Sequence, residues 1–215
     1  SRGLGDVYKR QELISKIKAA KPDMIALTGD IVDEDHDSIS SVEDLLKGIK
    51  DLAPIYFVTG NHELTSLAAT QYQELLALFQ KYGVTDLDND SVKLKKGGQS
   101  ITLYGRQYFS QYLTDSLPIA SDKDFDILLY HGSDNFKEIA PYHYDLILSG
   151  HAHGGIVRLP IWGGIFGNDG TFFPEYAGGE YTIGDATLIS SRGLGDASIP
   201  RFNNPPELVV IKLNP

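Results

Sequence analysis

No cysteine occurs anywhere in the 215 residues. That absence excludes disulfides, thiolate nucleophiles and thiolate metal ligands, so any metal must be held by oxygen and imidazole. No apolar run approaches the roughly 20 residues that a membrane-spanning helix needs, and no segment joins a basic start to an apolar middle as a signal peptide does. Positive charge is scarce too: 19 Lys and Arg against 29 Asp and Glu leave a formal net charge of −10. Such a field disfavours a polyanionic partner unless bound cations or a local basic patch reverse it, which demotes nucleic acid without excluding it. Apart from the hexapeptide SRGLGD, found at Ser1 and again at Ser191, there is no repeat, and no long linker interrupts the chain.

What is there suffices for one sizeable core, since 41% of the residues are hydrophobic and nothing in the composition suggests disorder. Helical and strand-like stretches alternate through the first two thirds. ELISKIKAAK sets Leu13, Ile14 and Ile17 on one helical face, SVEDLLKGIKDLA repeats the period before Pro54, and a longer helix is expected from about Leu64 to Tyr82, capped by Gly83. Between them lie short apolar runs, MIALTGD, IYFVTGNH, DILLYHGS and DLILSGHAH, bounded by polar turn residues as buried strands are. Beyond Gly154 the sequence turns rich in Gly and aromatics before two further strand-like runs, ATLIS and ELVVIKL.

Each of the four apolar runs ends in residues that can ligate a metal or move a proton: Asp30, Asn61 with His62, His131, and His151 with His153. In an open α/β sheet ligands bind at the carboxyl ends of the strands, so four such ends are expected to share one rim. Carboxylate, amide oxygen and imidazole suit Mn, Fe, Zn or similar divalent ions. In GHAH the two histidines are two apart, and in an extended segment they would face the same cavity; the flanking glycines let backbone approach an ion or a phosphate.

Each residue also has a bland reading. A lone Asp after Gly at a strand end is usually a turn or cap residue, and an Asn-His pair in a turn is usually structural. GHAHGG resists this, because two histidines between glycines gain little from packing. His36 in DEDHD and His143 in PYHYD stand at no strand end and read as solvated or locally bonded.

The motifs GDIVDE, GNHE, an isolated strand-end His and GHAHGG, in this order, resemble the calcineurin-like metallophosphoesterase family, whose pattern is D-x-H, G-D-x-x-D, G-N-H-[DE], H and G-H-x-H. The closing stretch SRGLGDASIPRFNNPPELVVIKL is similar to a bacterial membrane-associated phosphodiesterase branch of that family. The resemblance implies an α/β fold, a β-sandwich flanked by helices, and a two-metal hydrolase of phosphoester bonds. It implies that Asp30 bridges two ions, with Asn61, His131 and His151 completing one site and His153 belonging to the other. His62 would touch the substrate phosphate and protonate the leaving oxygen, with Asp33 orienting its imidazole. Two such cations hold a hydroxide between them at neutral pH and offset the charge of an anionic substrate.

The family's first motif, D-x-H on the first strand, is absent. Ser1 to Gln11 occupies its place with one Asp, no His and no strand pattern. The expectation is that residues 1–11 are a non-native segment, that 12–215 form a single metallophosphoesterase domain, and that the first strand is missing, leaving an edge beside the strand that ends at Asp30. One metal site would then be well formed, with two ions, manganese among the candidates, in a full-length parent. A missing N-terminus could also have carried a membrane anchor, so localisation is unreadable.

For substrate, the loop LPIWGGIFGNDGTFF follows GHAHGG closely. If Ile161, Trp162, Ile165 and Phe166 border the site they favour a lipid-linked phosphoester and peripheral membrane contact; packing over the sheet is the equal alternative. Arg192 and Arg201 are candidates for phosphate contacts or for surface salt bridges. Three readings stand: a phosphoesterase on a small or lipid-linked ester, a nuclease of the same family, and a catalytically impaired metal-binding protein with one complete site.

Overall fold

Alternation of side chains along four short strands decides how the layers stack. In the computed structural model, residues 7–32, 39–108, 113, 117–121, 124–159, 161, 163–167, 171–195 and 201–214 are described. Strands β1 (Ile25–Leu27), β2 (Ile55–Phe57) and β3 (Val84–Asp86) form a three-stranded parallel sheet in the order β1-β2-β3. A second sheet of six strands contains β4 (Ser91–Lys96), β5 (Gln99–Arg106), β6 (Phe125–Tyr130), β7 (Leu146–Ser149), β10 (Gly179–Ile183) and β11 (Ala186–Ser190), in the order β10-β11-β7-β6-β5-β4. Strands β8 (Val157–Leu159) and β9 (Gly163–Phe166) pair as a small hairpin between them in sequence.

The two larger sheets face each other through Tyr56, Val58, Leu103, Ile127, Leu129, Leu146 and Leu148, which form one buried cluster with Leu87. Because neighbouring side chains in a strand point to opposite faces, Ile55 and Phe57 turn outward instead. They join Leu45, Leu46 and Ile49 of helix α2 (Ile39–Ile49) and Leu75 and Phe79 of helix α4 (Ala69–Tyr82). Helix α1 (Val7–Ala20) completes that layer, with Leu13 and Ile17 buried as the periodicity requires. On the far face of the six-stranded sheet, Leu128, Tyr130, Ile147 and Leu188 are covered by Phe136, Ile139, Tyr144 and Tyr176. Phe136 and Ile139 come from the short helix α5 (Phe136–Ile139), which a 3-10 turn (Ala140–Tyr142) follows. The result is the expected α/β sandwich of two sheets with helices outside.

Helix α1 runs through Gln11 without a break, and Arg10 is buried beside Asp44 of α2 at 3.2 Å. Strand β1 lies at the end of its sheet, and among the described residues no strand pairs with its other edge.

Three expectations need correction. The four strand ends do not belong to one open sheet: β1 and β2 lie in one sheet and β6 and β7 in the other, so the rim is a seam between them. The helix expected from Leu64 to Tyr82 is two, α3 (Asn61–Thr65) and α4, parted at Ser66, whose backbone nitrogen caps α3 on the His62 carbonyl. Gly83 does close α4, at φ +70°. The run ELVVIKL, expected as a strand, has no sheet partner among the described residues, and Val210, Ile211 and Leu213 stay exposed. An apolar alternating run becomes a strand only where a neighbour supplies a ladder.

Leu129 is fully enclosed between the sheets. Leu129→Ala is expected to lower the unfolding free energy by about 2–5 kcal/mol in urea titrations. Exposed Ile119 changed to Ala should stay within about 0.5 kcal/mol; equal effects at both positions would contradict the layer assignment.

Candidate metal centre

Two glycine turns bring the first pair of strand ends together. After β1 the chain turns at Gly29, φ +84°, and a Cβ there would fall 2.6 Å from the Gly60 nitrogen and 2.8 Å from His131 Nδ1. A Cβ on Gly60, after β2, would fall 2.6 Å from the Asp30 nitrogen. Only paired glycines let the two loops abut so closely. Asp30 itself sits at φ +52°, a conformation that L-residues other than Gly rarely adopt.

Glu63 holds this junction. Its carboxylate is buried and accepts four backbone N–H groups: from Asp30 at 2.8 Å, Gly60 at 2.9 Å, Ile31 at 2.7 Å and Val32 at 3.3 Å. Burial and the neighbouring Asp30 charge push the Glu63 carboxyl up, while the N–H donors hold its charged form. The sequence reading passed over Glu63. Its signal was available, because a Glu three residues after the Gly that opens a short helix has capping-box spacing, and the Glu half of that box, the bond to the Gly60 N–H, is formed here.

The second pair of ends supplies imidazoles. His131, at the end of β6, is buried and donates Nδ1–H to the Thr28 carbonyl at 2.6 Å, which turns Nε2 toward Asp30 Oδ2 at 3.0 Å. That outer hydrogen bond fixes which nitrogen faces the centre. His151 Nδ1 lies 3.2 Å from His131 Nε2. Ligand atoms of Asp30, His131 and His151 all fall within 4.8 Å of one another. Burial opposes charge on Asp30 and on His131, yet each charge favours the other: the Asp30 carboxyl lies well below its usual range and His131 is raised. Tyr108 walls the pair, its ring 5.3 Å from each imidazole and 6.0 Å from Tyr130.

Among the buried side-chain atoms of the described residues that have no hydrogen-bond partner are Asn61 Oδ1 and His153 Nδ1. An orphaned buried acceptor is costly, and beside the Asp30, His131 and His151 cluster a cation would satisfy it. Oxygen and imidazole donors of this kind suit divalent first-row metals, so the residues present fit such an ion. His153 does not lie in an extended segment as expected. It stands in a turn at φ +51°, and burial, with the positive charge of Arg201 nearby, pushes it down to about 3. A histidine neutral over the ordinary pH range keeps a lone pair for a metal.

His62 lies at the first turn of α3. Its backbone N–H donates to Asp30 Oδ1 at 2.9 Å, its Nε2 is 3.8 Å from Asp30 Oδ2, and Nδ1 is 3.2 Å from Ser66 Oγ. Asp33, His36 and Trp162 lie outside the described residues. His143 caps the 3-10 turn at φ +63°, as a locally bonded histidine. Arg192 is paired with Glu207 at 2.9 Å, and Arg201 donates to the Arg192 carbonyl at 2.7 Å. Ile161 is fully exposed, whereas Ile165 and Phe166 are half-buried in the hairpin.

Comparison with known proteins adds independent findings. The family described as calcineurin-like phosphoesterase matches the chain over residues 3–155. YkuE, an uncharacterized metallophosphoesterase of Bacillus subtilis, is 30% identical over 221 residues, covering 98% of this chain and 75% of YkuE. The phosphodiesterase YaeI of Escherichia coli is 27% identical over 195 residues, covering 90% of this chain and 71% of YaeI. Among solved structures, the NAD nucleotidase of Haemophilus influenzae superposes with a TM-score of 0.55 at 15% identity, covering 86% of this chain and 44% of that one. At that identity the likeness speaks for the fold.

Replacing Glu63 by Gln sets an NH2 group against backbone donors that need an acceptor. Glu63→Gln should cost about 1–3 kcal/mol in unfolding titrations and lower Mn²⁺ affinity roughly 10–100-fold. Wild-type values in both measurements would deny Glu63 its role at the junction.

Proposed function

Since the chain belongs to the calcineurin-like phosphoesterase family, a hydrolytic one, we propose that it hydrolyses phosphoester bonds at the seam where β1, β2, β6 and β7 end. The single observation that carries this reading is the convergence of Asp30, His131 and His151, within 4.8 Å, beside the unpartnered Asn61 oxygen. In this reading Asp30, Asn61, His131 and His151 hold one divalent ion, and Asp30 with His153 reaches a second. Divalent ions so held polarise phosphoryl oxygens and lower the pKa of water.

The remaining work falls to the chain's own groups. His62, half-exposed at the mouth, is the residue to contact the phosphate and to deliver a proton from Nε2 to the leaving oxygen. The Nδ1 contact with Ser66 and the backbone bond to Asp30 keep the ring oriented; Asp33 is proposed to assist. Tyr108 shields the imidazoles from water on one side. Bound cations also resolve the charge conflict, since a chain of net charge −10 otherwise repels an anionic ester.

A second reading, a metal-binding protein with one complete site, is favoured by one observation. Among the described residues Asp30, His131 and His151 make the one cluster of three ligand-type side chains, and His153 adds a single imidazole. Mn²⁺ content and hydrolysis of bis-p-nitrophenyl phosphate separate the two. Chelation should abolish turnover, and His62→Ala should retain metal while kcat falls about 10²–10⁴-fold. Bound Mn²⁺ without turnover would favour the second reading; turnover indifferent to chelators would overturn both.

For substrate we propose a lipid-linked ester, supported by the exposed Ile161, Phe172, Phe173 and Phe202. These residues belong to the hairpin that follows GHAHGG and to the segments bridged to it. Phe173→Ser should slow a lipid phosphodiester in mixed micelles more than a soluble one. Equal losses would remove the lipid from the proposal.

A further inference from the structure

His153, Gly154 and Gly155 follow one another at φ +51°, +78° and +71°. The Gly155 N–H donates to the Ala152 carbonyl at 2.9 Å, so His153 and Gly154 are the central residues of a turn with the φ pattern of type I′, and that turn is restrained beyond its own hydrogen bond. The restraint is visible at the carbonyls. Asn204 Nδ2 donates to the His153 and Gly155 carbonyls, at 2.7 Å each, and Arg158 Nη1 donates to the Gly154 carbonyl between them at 2.6 Å. All three carbonyls of the turn are thus held by side chains.

Asn204 is buried at 3% exposure, and its amide can sit only one way, since the reverse would set its oxygen against two carbonyl oxygens. The segment that carries it is fastened to the turn's exit: the Phe202 nitrogen donates to the Ile156 carbonyl at 2.9 Å, and the Arg158 nitrogen to the Phe202 carbonyl at 3.1 Å. Contact is close enough that a Cβ on Gly154 would fall 2.7 Å from Asn204 Oδ1. No metal-binding motif reaches this far along the chain, so Asn204 connects the closing segment to the second-ion histidine.

We propose that Asn204 is a positioning residue that sets the orientation of His153 by pinning the carbonyls of the turn; its bearing on metal rests on the phosphoesterase reading above. A packing role and a hydrogen-bonding role separate at Asn204→Asp, which keeps the size and shape but replaces the donor by an acceptor. The test titrates Mn²⁺ into the full chain and into the Asn204→Ala and Asn204→Asp variants, and records the His153 imidazole resonances and the amide exchange of residues 153–155 without metal. The weaker of two Mn²⁺ affinities should fall roughly 10–100-fold in both variants, with Asp at least as damaging as Ala and the tighter affinity unchanged. The metal-free His153 signals should move in both. Should Asn204→Ala fail to fold, the isosteric Asp variant carries the test. Wild-type behaviour of Asn204→Asp, an equal loss at both ions, or unmoved His153 signals would overturn the proposal. A wild type that takes up no Mn²⁺ would refute the metal reading instead, and the metal-free signals would still decide the role of Asn204.

Discussion

One buried carboxylate joins the two loops that follow β1 and β2. Glu63 accepts N–H groups from both glycine turns, and these turns carry Asp30 and Asn61. Four donors on one anion recover much of what burial removes from its hydration, which is how a charge survives in so enclosed a place. The bond is also directional. By drawing the Asp30 and Gly60 nitrogens to one side, Glu63 leaves the Asp30 carboxylate facing the imidazole side of the seam. His62 is fixed from the same turn through its backbone bond to Asp30. Beyond the β1–β2 ladder and that single bond, the carboxylate is what ties the loops where the glycines allow them to approach.

Against this junction the second sheet presents histidines that are held from behind. His131 is oriented by the Thr28 carbonyl, which directly follows β1, so the first sheet positions a histidine of the second. His153 is held by Asn204 through the backbone. The two histidines differ in basicity for the same structural reason. His131 faces Asp30 directly and is raised by it, whereas His153 is enclosed near Arg201 and lowered. Local arrangement, not net charge, decides what the centre attracts.

Much of the arrangement could be read from the chain itself. Apolar runs ending in Asp30, Asn61, His131 and His151 gave the strands, because buried strands read as short apolar runs bounded by polar residues, and three of those end residues, Asp30, His131 and His151, do come together. Glu63 was legible in GNHE as a residue at capping-box spacing but not as a clamp, since three of its four donors, Asp30, Ile31 and Val32, are some thirty residues away in sequence. Asn204 was not legible at all: nothing in RFNNPPE announces that one amide meets a turn roughly fifty residues earlier. The strand expected at ELVVIKL shows the converse, a local pattern without a neighbour to complete it.

The sequence by itself determined the ligand chemistry and the alternation of strands and helices. Zero cysteines leave oxygen and imidazole, and periodicity fixes which faces are apolar. Only the tertiary structure decided that the strand ends come from two stacked sheets, that His153 sits in a left-handed turn, and that Glu63 and Asn204 bond to turns distant in sequence. The physical reason is range. Propensity and periodicity act between residues a few positions apart, whereas a buried hydrogen bond joins groups whose separation in sequence carries no local trace.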